Sequence, residues 1–255
     1  MLTQIKLICI LCAATTIAGG AASLELLTQF DRQPSTVVVG AMTRELDVLY
    51  RDVPVAIGWH ELSGYHSRVV APRIVFIYFK GDCRAPHLPP HQTVEGLALA
   101  GINRVDGRML PVVTVDCDRT ASYIWRSMSG AERANGDAAF GRVLARVLAH
   151  ELYHYLTGAA KHTKSALFRA SIPASSLLSR ELRFMPEEVA DLSHALAPAL
   201  LTAAATGTGG AQNVSPYSSF LTPITQTNSQ PPLPVSVRIS ELRHMPLSAN
   251  LISIR

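Results

Sequence analysis

"GDAAFGRVLARVLAHELYHYLTGAAKHTKSALF", residues 136–168, decides how the rest of the chain is read. Val143, Val147, His150 and His154 share one helical face at i, i+4, i+7 and i+11. Leu144, Leu148, Leu152 and Tyr155 lie on the neighbouring stripe. Asp137 near the start and Gly158 just past the end suit a cap at each terminus. The spacing predicts a long helix packed on a sheet by one side, with histidines along its margin. Arg142, Arg146 and Tyr153 are expected to face solvent.

His150, Glu151 and His154 form an H-E-x-x-H pattern. Histidines four apart on a helix project from the same side one turn apart, so both imidazoles can reach one tetrahedral metal. Zn2+ bound there lowers the pKa of a water toward about 7, and Glu151 is placed to take its proton. A catalytic site of this kind needs a third protein ligand and an open position. His162, eight residues beyond His154, is the expected ligand. Glu187 is its rival, because "E187-E-V-A-D191" has the E-x-x-x-D arrangement of thermolysin-like zinc peptidases. An acidic pair directly after Pro186 is also ordinary chemistry for a helix N-terminus. The plain alternative is a helix with two partly buried histidines, costly on an apolar stripe without a metal. Elsewhere His87 and His91 have the right spacing, but Pro89 and Pro90 exclude a helix. His60, His66, His194 and His244 lack companions and read as surface or structural residues.

These residues resemble the metzincin branch of zinc metallopeptidases, whose pattern is H-E-x-x-H-x-x-G-x-x-H followed by a methionine-containing turn. Thr163 follows His162, and "SALF" at 165–168 resembles the segment that ends in methionine in the matrix-metalloprotease-like members. Gly158 comes one residue later than the family's glycine, and His162 two later than its third histidine. Leu167 or Phe168 stands in place of methionine. The resemblance covers residues 35–201. It implies an α+β zincin fold with a twisted, mostly parallel sheet, an antiparallel edge strand, an active-site helix and a C-terminal helix. It also implies Zn2+ as cofactor, a peptide or protein substrate, and metalloendopeptidase activity with Glu151 as general base. An exported zinc-binding or interaction module that keeps the fold without turnover is the non-enzyme alternative.

The segments before the motif agree with that order. "STVVVG" (35–40) reads as a buried strand, 41–52 as a helix ending before Pro54, and 55–59 and 73–79 as further strands. "GLALAGIN" (96–103) and "MLPVVTVD" (109–116) flank Asp106-Gly107, a strong hairpin signal. Pro111 argues that the second run is paired late or on one side near its start. In the resembling family such an edge strand pairs with extended substrate, and the topology makes 73–79 and 110–116 parallel neighbours. A second long helix is expected over 183–201.

At 255 residues and 48% hydrophobic, the chain can bury one sizeable core. The net charge of +4 is spread thinly, which argues against a nucleic-acid face. Lys6, the apolar run at 7–18 and "GGAAS" at 19–23 read as an export signal cut after Ala22. The run is shorter than the roughly 20 residues of a spanning helix, and an uncleaved membrane tether is the alternative. The expected division is therefore a signal at 1–22, a zincin-like domain at 23–201, and a low-complexity tail at 202–255 rich in Gly, Ser, Thr and Pro. Cys9 and Cys12 leave with the signal, and Cys83 and Cys117 are expected to pair as a disulfide, with two unrelated buried thiols as the alternative. The expected location is secreted or periplasmic.

Overall fold

The computed structural model describes residues 22–65, 73–85, 98–164 and 167–206. Five strands form one sheet in the order β2-β1-β3-β5-β4. Strands β1 (Ala22–Arg32), β2 (Val55–Glu61), β3 (Arg73–Asp82) and β5 (Arg108–Asp116) run parallel, and β4 (Ala100–Val105) is the antiparallel edge. Helix α1 (Thr36–Leu49) connects β1 to β2, and the long α4 (Gly136–Thr157) packs on α1 and on the β4–β5 side of the sheet. Shorter helices α2 (Cys117–Trp125), α3 (Gly130–Ala134) and α5 (Ala174–Leu178) flank it, and α6 (Pro186–Thr206) closes its far side. The chain is an α+β fold with a mostly parallel sheet, as expected. Much of the signal segment, residues 96–97 and the tail from 207 lie outside the described residues, as do His66, His87, His91 and His244.

The first strand is not where the sequence pattern puts it. Residues 36–40 open α1 instead, and the strand is Ala22–Arg32. Ser35 caps the helix by accepting from Val38 N at 3.2 Å. Val38, Ala41, Met42, Glu45, Leu46 and Leu49 then form a buried helical stripe. Three consecutive valines lower helix propensity only slightly, whereas packing along α4 rewards the whole stripe. The two helices approach closely because Gly141 has no side chain: a Cβ there would sit 2.5 Å from Val38 O. Strand β1 carries three leucines and only two residues of strong strand propensity, Thr28 and Phe30. It is held by its interior place between β2 and β3, with Leu24 and Leu26 fully buried.

The hairpin forms at Asp106 (φ 49) and Gly107 (φ 76), the paired positive φ of a type I′ turn. Pairing shifts between Ile102↔Val113 and Arg104↔Met109, so the irregularity spans Pro111, which has no N–H to give. Cys83 and Cys117 are bridged, with Cα atoms 5.0 Å apart, joining the end of β3 to the start of α2. Closing that 34-residue separation stabilises by about 3–4 kcal/mol in the chain-entropy view.

Helix α4 is covered on nearly every side. From Ala139 to Leu156 only Arg142 and Tyr155 are not buried. Arg146 and Tyr153, expected at the surface, are 0% and 2% exposed. The reason is that α1, α5 and α6 cover the flank the sheet leaves open. Arg146 bonds Glu45 of α1 at 2.8 Å and the carbonyls of Leu177 and Ser179, so its charge is compensated inside the core. Asp137 does not cap α4; Asn135 holds that position, and Asp137 instead accepts from Ser35 Oγ and Ala85 N. No helix among the described residues is long and apolar enough to cross a membrane.

Candidate metal centre

Helix α4 carries His150 and His154 one turn apart and ends at Gly158, whose φ of 71 turns the chain back. A glycine accepts this left-handed conformation without a Cβ penalty. The returning loop supplies three things. His162 enters the cluster, Ala159 O accepts from His154 Nδ1 at 2.6 Å, and Leu167 O accepts from His150 Nδ1 at 2.8 Å. The loop is fastened by Thr163 N donating to Phe168 O at 3.0 Å. The loop thus spans the eight residues from His154 to His162 and brings that histidine back to the helix.

The three Nε2 atoms form an equilateral triangle: 3.2 Å between His150 and His154, 3.2 Å between His150 and His162, and 3.2 Å between His154 and His162. Nitrogens each about 2.0–2.1 Å from a tetrahedral zinc stand roughly 3.3–3.4 Å apart, so the triangle fits that ion closely. A carbonyl can only accept, so the Nδ1 atoms of His150 and His154 carry the protons and their Nε2 atoms present lone pairs. Burial presses the proton affinities down, to about 3 for His150 and about 4 for His154, and lowers His162 as well. At neutral pH the His150 and His154 lone pairs thus face each other at contact distance. That arrangement is repulsive alone and favourable around a cation.

Glu151 is fully buried, and neither of its oxygens has a partner among the described residues. Burial raises its proton affinity well above the carboxylate range. An unpartnered buried carboxylate beside three neutral imidazoles is a further mark of a site built for a cation.

Beneath the histidines lies Phe168. Its ring centroid is 4.4 Å from His154, 5.3 Å from His150 and 5.6 Å from His162. It also packs 3.9 Å from Tyr153, whose hydroxyl donates to Asp191 of α6 at 2.7 Å. Phe168 thus forms an apolar floor against the three imidazoles.

Glu187 is exposed in the first turn of α6 and is not in the histidine cluster. Its neighbour Glu188 is buried and accepts from Met185 N at 2.8 Å, a helix-capping contact. Asp191 is engaged by Tyr153. His60 lies on β2, paired with Glu25 at 2.7 Å, and His194 is exposed on α6. The contributions of Ala159 and Leu167 went unread in the sequence because they are main-chain acceptors, to which side-chain identity gives no clue.

No protein-family model and no curated protein matches the chain in sequence. Among solved structures, the crystal structure of archaemetzincin from Methanopyrus kandleri is similar, with 14% identity and a TM-score of 0.42 over 71% of this chain and 99% of that one.

Proposed function

We propose that this chain is an exported zinc-dependent metallopeptidase. The observation that carries the reading is the 3.2 Å triangle of histidine nitrogens with the unpartnered Glu151 beside it on the same helix. His150, His154 and His162 would hold Zn2+ through Nε2, with the tautomers of the first two fixed from behind by Leu167 O and Ala159 O. Zinc in such a site acts as a Lewis acid and makes water a nucleophile near neutral pH.

Glu151 accepts a proton from the attacking water as the water oxygen bonds to the scissile carbonyl carbon. It then passes that proton to the leaving amide nitrogen as the C–N bond breaks, releasing a carboxylic acid and an amine. No donor among the described residues competes for its oxygens. Export is supported by the leader-like N-terminus and by the Cys83–Cys117 bridge, a feature of oxidising compartments.

Hydrolysis of an unfolded protein by the zinc-loaded chain tests this. Glu151→Gln should keep zinc and lower cleavage by about 10²–10⁴-fold, the usual worth of a positioned acid–base group. Undiminished cleavage by the zinc-loaded Glu151→Gln protein would remove the mechanism. Zinc binding without cleavage of any peptide by the native chain would leave a binding module.

A further inference from the structure

His150 and His154 are 0% exposed, whereas His162 is half-buried, so the metal centre meets solvent on the side of His162. Whatever fills an open coordination position approaches past the loop that carries this histidine. That loop is basic. Lys161 directly precedes His162, Lys164 follows it by two residues, and Arg169 is drawn alongside Thr163 by a parallel bridge. Arg169 also follows Phe168, whose ring packs on all three imidazoles, so chain connectivity fixes each cation beside the centre. All three are exposed. No acidic residue occurs between Glu151 and Glu181, and none of the three cations joins an ion pair among the described residues. By contrast, Lys80, Arg84 and Arg119 each have a carboxylate beside them. Cations around a site for a dication oppose the metal, so zinc binding gives no reason for them. An anionic group arriving with the ligand does.

Resting on the peptidase reading above, we propose that Lys161, Lys164 and Arg169 form a basic rim that selects peptides with acidic side chains close to the bond placed at the histidine cluster. Because the three are exposed, they act as a field that gathers and orients an acidic segment, not as a pocket for one side chain. The selectivity is therefore shared among them and sensitive to salt.

The test uses the full chain carrying Glu151→Gln and loaded with zinc, so that binding is read without turnover. Fluorescence anisotropy is measured on labelled peptides of one sequence whose central apolar pair is flanked by glutamates, glutamines or lysines. In low salt the glutamate peptide should bind about 3- to 30-fold tighter than the glutamine peptide, the range of two or three exposed ion pairs. The lysine peptide should bind more weakly than both. The advantage should vanish near about 1 M salt, where screening acts within about 3 Å. Lys161→Gln, Lys164→Gln and Arg169→Gln combined should erase it, with the glutamine peptide bound within about twofold of before and zinc content unchanged. Lys161→Arg, Lys164→Arg and Arg169→Lys combined should keep it, because every charge remains. Arg44→Gln, Arg51→Gln and Arg133→Gln remove the same charge from exposed positions on α1, the turn after it and α3, and should leave the preference intact. Equal binding of acidic and neutral peptides, a preference that survives the loop substitutions, or an equal loss in the distant set overturns the proposal. Tighter binding of an oligonucleotide of equal charge than of the acidic peptide also overturns it. Hydrolysis by the native chain is scored separately. Acidic preference without cleavage supports the rim and removes the peptidase reading, and cleavage without preference does the reverse.

Discussion

Phe168 touches three imidazoles and a phenol, and so couples the orientation of the metal centre to the core. Phe168→Ala should cost about 3–5 kcal/mol of stability as a large-to-small core change. It should also weaken zinc binding about 10- to 100-fold, the range for groups that orient ligands. Phe168→Met, which keeps a flexible apolar body beneath the rings, should recover most of both; denaturant midpoints and zinc titration report them. At this scale the sequence was most informative where spacing carries the chemistry. His150, Glu151 and His154 are legible from five successive positions of one helix, and His162 from its nearness. The environment of those residues was not legible. Arg146 and Tyr153 look like surface residues on a helical wheel, yet each is buried by elements far away in sequence.

Elements show where local pattern and tertiary packing disagree. The valine run at 37–39 has strand propensity, but Ser35 caps it and its stripe fits α4, so it folds as helix. Conversely, 22–32 has a helix former's composition and becomes an interior strand of the sheet. The Asp106-Gly107 turn and the cap at Gly158 were readable because each residue type imposes its own backbone geometry, whereas the second long helix, expected over 183–201, runs Pro186–Thr206. The capping box of α3, Ser129 with Glu132, was equally present in the sequence and went unread because the helix has only 5 residues. The contact of α1 with α4 is directly testable. Gly141→Ala would put a Cβ 2.5 Å from backbone Val38 O and 2.8 Å from Ala41 Cβ, atoms that cannot swing away. The expected loss is about 1–3 kcal/mol, seen as a lower denaturant midpoint. An unchanged midpoint would mean that the helices do not meet there.

For the whole molecule, the buried titratable groups set the pH range of the metal-free state. His150 and His154 are neutral when folded, with proton affinities of about 3 and about 4, and take up protons on unfolding below the ordinary 6.5. Each therefore costs about 1.4 kcal/mol per pH unit as pH falls from 6.5 toward its folded value, and His162 acts in the same direction. Glu151 works the other way: its proton affinity is raised above 4.5, so it loses stability as pH rises from that value. Below 6.5 the two histidines make acid destabilising, with Glu151 opposing them; above 6.5 the raised proton affinity of Glu151, joined at high pH by the buried tyrosines, makes alkali destabilising. The metal-free chain should thus be most stable near pH 6.5, as read by urea midpoints across a pH series. Stability rising steadily from pH 6.5 to 5 would contradict this burial of the histidines.

The central claim is that His150, His154 and His162 together hold one zinc ion. Zinc content after dialysis against a weak chelator, measured for the native chain, His162→Ala and Glu187→Ala, tests it most directly. The account predicts one zinc per chain in the native protein and in Glu187→Ala, with zinc lost from His162→Ala. Zinc retained by His162→Ala and lost from Glu187→Ala would contradict it.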